Sequence, residues 1–265
     1  MIISHKHKLI FIKPLKVAGT SFELALRNYC GPDDIITRCT PKDERVSLKR
    51  NKVHDQNHQN GAKYFDHIVG LDIDYDHVRH ITNSDCYQVY DGFTRVYEPN
   101  SQRYYNHISA RKIKKRIGED IFNSYTKISI IRHPIDYAIS SYYFFNLDAA
   151  GVTFKDHAFN LPINEYDQFY EIDQKYIIDF TIKYENLESD ILTLEKKIPG
   201  LKGLKDRMKT FKSKIRRVKT AKDKTPGMRE RPETATPRLI RNNFPIACDF
   251  LMRKFDKYCG KFNYK

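Results

Sequence analysis

The chain has 265 residues, with 47 Lys and Arg against 33 Asp and Glu, a formal charge of +14 at neutral pH, and 40% apolar and 13% aromatic residues. This composition excludes a globally disordered chain and supplies the core of one domain, at a size where roughly three quarters of the unfolded surface is buried. The charge predicts attraction to polyanions (a phosphorylated cofactor, an acidic glycan, nucleic acid, an anionic membrane), and by itself it equally describes a generally basic surface.

The opening stretch MIISHKHKLIFIKP holds one short apolar run with lysines on both sides. It is expected to be neither a signal peptide nor a membrane span, and no other segment is long and apolar enough to cross a bilayer. Leu9 to Ile12 reads as a buried strand. Ser21 to Asn28 carries Phe22, Ala25 and Leu26 at helical spacing, and Cys30-Gly31-Pro32 stops that helix, with Gly31 suited to the position just past its end. From about residue 40 to 105 Asn, Asp, His, Gln and Tyr dominate, and the expectation is an irregular insertion of long loops and small elements such as the strand-like TRVYE. Ser109 is a plausible N-cap for a basic helix through Ile117. Lys127 to Ile131 is a second buried strand. Pro134 suits the first position of a helix that runs to about Phe145, with Asp136 in its first turn and Ile135, Ala138, Ile139 and Tyr142 as its core stripe. Asp179 to Lys183 is a third strand, followed by an amphipathic helix ending near Pro199. A basic segment spans about 201–231: Leu201 to Lys224 is dense in lysine and arginine and partly helical at best, and Pro226 to Pro237 reads as a loop carrying Arg229 and Arg231. A closing helix carries Ile246, Phe250, Leu251 and Phe255, and an aromatic tail follows. Strands alternating with helices argue for a single α/β domain around a mostly parallel sheet.

The cysteines Cys30, Cys39, Cys86, Cys248 and Cys259 are scattered without a CxxC pair. That spacing argues against a disulfide framework or a zinc site and fits a reducing cytoplasm. His54 and His58 are four apart, but their Asp, Gln and Asn surroundings read as solvated side chains in a loop rather than a metal site.

Two strand–loop–helix units carry the chemistry. In FIKPLKVAGTSFELAL the strand breaks into Lys16, Ala18, Gly19, Thr20 and Ser21 before a helix begins. A helix N-terminus offers unpaired N–H groups and a favourable dipole to an anion. Ala18 and Gly19 leave the backbone approachable, Thr20 and Ser21 add hydroxyls, and Lys16 adds a mobile charge. The common nucleotide loop GxxxxGK[ST] is absent. The same stretch also reads as an ordinary turn in which Thr20 or Ser21 caps the helix. In ISIIRHPIDYAISSYYFF, Arg132 stands directly after a buried strand. Ligands of open α/β sheets bind at the carboxyl ends of strands, so Arg132 is expected on the same sheet edge as the first loop. Its fork can grip a phosphate, and Ser140, off the core stripe, can donate another bond. Taken singly, Arg132 also reads as a surface ion-pair partner and Ser140 as a neutral helix serine.

FIKPLKVAGTSFE resembles the 5′-phosphosulfate loop of sulfotransferases that use 3′-phosphoadenosine 5′-phosphosulfate (PAPS), in the branch containing carbohydrate sulfotransferases and many bacterial relatives. IIRHPIDYAISSYYFF resembles the matching 3′-phosphate loop. RYYNHISARKIKKRIGEDIFNSY and DFTIKYENLESDI resemble segments between and after them. The likeness spans most of the chain in order and is strong over residues 5–33, 104–146 and 177–195. It departs at His133, where relatives often have Asn or Asp, at Tyr137, where Arg is frequent, and at Lys13-Pro14-Leu15. The resemblance implies a P-loop-like sulfotransferase fold with PAPS as donor, no metal, and a hydroxyl-bearing acceptor, most readily a glycan. It implies Lys16 on the leaving oxygen, the Ala18–Ser21 backbone and hydroxyls on the 5′-phosphate, Arg132 and Ser140 on the 3′-phosphate, and Arg229 on a late loop over the nucleotide. His107 is the candidate base, because imidazole titrates near neutrality and the residue matches the family's Asn-His segment; it also reads as a surface or capping histidine. Glu185 reads as a helix-cap carboxylate. The rival readings are a basic nucleic-acid-binding module, permitted by the charge and the many tyrosines but lacking a recognised binding fold, and a kinase-like phosphotransferase, which would need an acidic magnesium pair not evident here.

Overall fold

The computed structural model describes residues 1–60, 64–68, 87–90, 93–97, 102–145, 147, 150–211 and 237–265. In chain order the first half contains β1 (Ile2–Ser4), β2 (Leu9–Phe11), α1 (Gly19–Leu26), β3 (Ile35–Ile36), α2 (Pro41–Asn51), β4 (Tyr64–Ile68), β5 (Tyr87–Tyr90) and β6 (Phe93–Tyr97). Then come α3 (Ala110–Ile117), α4 (Glu119–Ser124), β7 (Thr126–Ile131), α5 (Pro134–Phe144), α6 (Phe154–Asn160), α7 (Ile163–Asp167), β8 (Glu171–Ile172) and β9 (Lys175–Tyr176). The rest is β10 (Phe180–Lys183), α8 (Leu187–Lys197), α9 (Leu204–Thr210), α10 (Pro237–Asn243), α11 (Pro245–Lys254) and α12 (Asp256–Phe262).

The main sheet has five strands in the order β10-β7-β2-β1-β3. β10, β7 and β2 are parallel neighbours, whereas β1 pairs antiparallel with both β2 and β3. Four of the five strands therefore point the same way, and only β1 is reversed. The side-chain period of two sends Leu9, Phe11, Ile128, Ile130 and Ile182 to one face, against apolar residues of α1, α8 and α9. Ile10, Ile12 and Ile131 go to the other, against α5, α6, α11 and α12. Both faces are covered, which is why β7 reads as a continuous apolar run. The architecture is α/β with a mostly parallel central sheet flanked by helices, as the alternation of elements predicts.

Local chemistry sets several ends as expected. Ser109 caps α3 by accepting the Lys112 N–H at 3.4 Å. Pro134 opens α5, and its predicted stripe Ile135, Ala138, Ile139 and Tyr142 is buried. Elsewhere the structure corrects the expectation. Within the segment read as loops and small elements lies the eleven-residue helix α2. Its signals are local: Thr40 caps it, Pro41 opens it, and Asp43 and Glu44 occupy its first turn. β4, β6 and β5 form a separate three-stranded antiparallel sheet, and β6 contains most of TRVYE. Gly31 is not a left-handed terminator: α1 tightens into a 3₁₀ turn at Arg27–Tyr29, and Cys30 then turns extended. On α11 the buried stripe is Ala247, Cys248 and Leu251, while Ile246 is exposed. His58 is buried, not solvated, with Nε2 2.8 Å from Asp55 Oδ2, and His54 is exposed. Among the described residues no helix is long and apolar enough to cross a membrane. Cys86 and the basic run at 212–236, Arg229 included, lie outside the described residues.

Candidate functional site

Because β2, β7 and β10 are parallel neighbours, their carboxyl ends open onto one edge of the sheet. The first loop leaves β2, Arg132 and His133 leave β7, and the 3₁₀ turn Tyr184–Asn186 leaves β10. The two sequence-predicted loops meet there: Arg132 Nη1 donates to the Lys16 carbonyl at 3.0 Å.

The first loop is bent by two left-handed residues, Lys16 (φ 59°) and Ala18 (φ 63°, ψ 17°). Ala18 is followed directly by helical Gly19, and successive residues of opposite hand turn their N–H groups into a common concavity suited to an anion. The first backbone bond closing α1 runs from Phe22 N to Ala18 O, so the N–H groups of Gly19, Thr20 and Ser21 precede any intrahelical acceptor. Ala18, not Thr20 or Ser21, is the N-cap, and no side chain caps this end. The capping alternative for Thr20 and Ser21 is thereby removed. Both are partly exposed, as is Lys16. The Lys16 ammonium lies 3.4 Å from the centroid of the Phe144 ring, a cation–π contact.

Gly19 is required by what runs beneath it. A Cβ placed there would sit 2.8 Å from Lys13 Cγ, and the Lys13 side chain is held at its far end by Glu23, Nζ to Oε2 2.9 Å. Gly19→Ala is therefore expected to lower stability by about 1–3 kcal/mol through overpacking. Gly31→Ala is the control, since its Cβ would meet Lys6 Cδ at an ordinary 3.5 Å. Thermal unfolding of the two variants checks the difference; equal midpoints would show that the loop yields freely at Gly19.

Arg132 is only 4% exposed. Its guanidinium lies 4.0 Å over the Tyr184 ring and its Nη2 3.5 Å from Asp136 Oδ1, so it is the joint between the two loops and the end of β10. Asp136, Ser140 and Phe144 fall on one row of α5 at four-residue intervals. Asp136 touches Arg132 and Phe144 touches Lys16, and partly exposed Ser140 lies between them on that row. Glu185 caps no helix of its own. Its Oε1 accepts the His133 N–H at 2.7 Å and its Oε2 accepts the Tyr264 hydroxyl at 3.1 Å, bracing the second loop.

His107 also reaches the first loop. Its Nδ1 lies 3.0 Å from the Lys13 carbonyl, which can only accept, so Nδ1 carries the proton and Nε2 is the basic nitrogen of the neutral ring. Burial, followed by the nearby Lys13 ammonium, holds this imidazole well below its usual pKa. The ring is thus neutral at pH 7, the form a general base requires.

A buried charge network behind the loop has no counterpart in the sequence reading. Glu23, on α1, contacts Lys13, the Met1 amine at 2.9 Å and Arg27 at 3.4 Å, and Arg27 binds Glu44 through both terminal nitrogens at 2.8 Å. Lys13, Glu23 and Arg27 are each at most 1% exposed. Burial favours the neutral form of Glu23, but Lys13, the Met1 amine and Arg27 outweigh it and keep the carboxyl below the usual range. Cys39 lies within this network, where burial pushes its thiol up to about 12, leaving it neutral and inert. Only the i,i+4 spacing of Glu23 and Arg27 signalled any of this.

Among the described residues no group of three or more His, Cys, Asp or Glu is arranged to hold a metal ion. No family model, curated protein or solved structure matches the chain.

Proposed function

We propose that the chain is a sulfotransferase of the P-loop-like type, which moves a sulfuryl group from PAPS to an acceptor hydroxyl, with carbohydrate as the acceptor class. The observation that carries this reading is the bond from Arg132 to the Lys16 carbonyl, which joins two candidate phosphate loops on adjacent parallel strands. The residues fit the donor: a concave run of amides, small Ala18 and Gly19, two accessible hydroxyls and a flexible ammonium answer a 5′-phosphosulfate, and a second cationic loop answers a 3′-phosphate. The free thiols of Cys30, Cys39, Cys248 and Cys259 support a reducing, cytoplasmic setting.

When bound, the donor supplies an SO₃ group whose S–O bond to the 5′-phosphate breaks, its electron pair staying on the phosphate, as the acceptor oxygen forms a new S–O bond. By analogy with phosphoryl transfer, the chain's work is then positioning and charge stabilisation. The amides of Gly19 and Thr20 and the hydroxyls of Thr20 and Ser21 hold the 5′-phosphate. Lys16 leaves Phe144 to neutralise the departing oxygen. Arg132 and Ser140 face the 3′-phosphate. His107 Nε2 takes the acceptor's proton.

Incubation with labelled PAPS and a panel of glycans, lipids and small alcohols tests the activity, with sulfation of glycans expected. No transfer together with no calorimetric affinity for 3′,5′-ADP would overturn the reading, and a steep salt dependence of RNA binding in that protein would favour a nucleic-acid module instead. Arg132→Ala is expected to weaken 3′,5′-ADP about 10- to 100-fold, the loss of charge-assisted hydrogen bonds. Unchanged affinity removes Arg132 from the donor site.

A further inference from the structure

We propose that Lys13 and Glu23 form a positioning pair that sets the orientation and tautomer of His107 from beneath the first loop: Glu23 anchors the Lys13 ammonium, and the Lys13 carbonyl anchors His107 Nδ1–H. The inference rests on the sulfotransfer reading only in calling His107 a base.

The links are short and interior. Lys13 Nζ and Glu23 Oε2 are 2.9 Å apart, and both side chains are closed to solvent. Lys13 runs under Gly19, where a single added methyl would collide with it, so the side chain has one path between the start of α1 and the carboxylate on that helix's second turn. With the ammonium fixed, the peptide three residues before Lys16 is fixed as well, and its carbonyl receives His107 at 3.0 Å. His107 itself occupies a left-handed conformation (φ 59°), which a non-glycine residue keeps only where its surroundings hold it. Glu23 therefore does two things at once. It belongs to the helix whose N-terminus faces the proposed 5′-phosphate, and it holds the residue that aims the base. The spacing between cradle and base is thus built into one rigid unit.

The titratable groups acting on the imidazole are the Lys13 ammonium from the first loop, the Glu23 carboxylate from α1 and the Met1 amine just before β1, which burial lowers to about 6. The Lys13 ammonium disfavours a charged ring and Glu23 favours one, so the pair also tunes when His107 takes up a proton.

Lys13→Met tests this, because it keeps the chain length beneath Gly19 and removes the ammonium. In long-range ¹H–¹⁵N spectra the wild-type ring is expected to show one tautomer, protonated at Nδ1. In Lys13→Met a mixed tautomer signal and a His107 titration midpoint shifted to higher pH are expected. In turnover assays the acidic limb of kcat against pH should move up with it while KM for PAPS stays within about threefold, since the cradle amides are untouched. Should Lys13→Met leave Glu23 unpaired and unfold the protein, the double variant Lys13→Met/Glu23→Gln, which removes both charges together, is read by the same spectra. An unchanged tautomer and midpoint in a folded variant would overturn the pair. The spectra need no activity, so a His107 that responds in a protein without affinity for 3′,5′-ADP would retain the positioning pair while removing the sulfotransfer reading.

Discussion

Lys16→Ala is expected to lower sulfuryl transfer by about 10²–10³-fold, the usual effect of removing one group that stabilises charge developing in a transition state. Lys16 is partly exposed, and its ammonium rests on the Phe144 ring. A ring attracts the ammonium without cancelling its charge, and an exposed contact of this kind contributes only about 0.5–1 kcal/mol. Giving up that ring contact therefore costs little when a phosphosulfate arrives. The fold should not notice the substitution, because the core residue of this loop is its neighbour Val17. Arginine at the same position should not restore the rate fully, since its planar fork is a different donor from a mobile point charge. Single-turnover transfer by a variant with wild-type circular dichroism and wild-type 3′,5′-ADP affinity is the decisive measurement. Transfer at the wild-type rate would sink the leaving-group role.

Arg27→Ala is expected to destabilise the protein by about 3–5 kcal/mol, a large share of the marginal stability of a domain. Arg27 is fully buried and is the shared partner of Glu23 and Glu44; it also donates to the Thr37 carbonyl at 2.9 Å. Its removal takes both guanidinium bonds from interior Glu44 and one of three cationic groups from Glu23, which keeps Lys13 and the Met1 amine, so the desolvation of these carboxylates is less fully offset. Arg27→Met/Glu44→Gln should recover part of the loss, because a pair removed as a unit leaves less uncompensated charge. The pH dependence has a definite sign. Glu23 has a native pKa below its unfolded value, so its contribution is full above the ordinary carboxylate range and is lost only as pH falls toward the depressed native value. The gap between wild type and Arg27→Ala should therefore narrow in acid. Urea unfolding at neutral and acidic pH checks both points, and a gap independent of pH would remove the ion pairs as its cause.

The elements that were legible from residues alone share one property: their signals lie within a few positions of each other. Ser109 before α3, Pro134 at the start of α5 and the apolar run of β7 each declare themselves locally. So does the cradle, where Lys16, Ala18, Gly19, Thr20 and Ser21 sit together between strand and helix. α2 is equally declared by Thr40, Pro41, Asp43 and Glu44, but the long polar stretch after it outweighs that local signal. β1 and β3 declare nothing locally. Strands of three and two residues carry almost no period of their own, and β1 becomes a strand by pairing with β2 across a tight turn.

What the amino-acid order determined by itself is the alternation of strand and helix, the small and hydroxyl residues of the first loop, and the arginine that follows the second strand. Only the tertiary structure decided that Arg132 binds the Lys16 carbonyl 116 positions away, that His107 binds Lys13 across 94 positions, and that Lys13, Glu23, Arg27 and Glu44 are interior ions rather than surface charges. The physical reason is that periodicities of 2 and 3.6 say which way a side chain points from its own element. Whether a charge pointing that way meets water or an opposite charge depends on which strands become neighbours and on what covers the sheet.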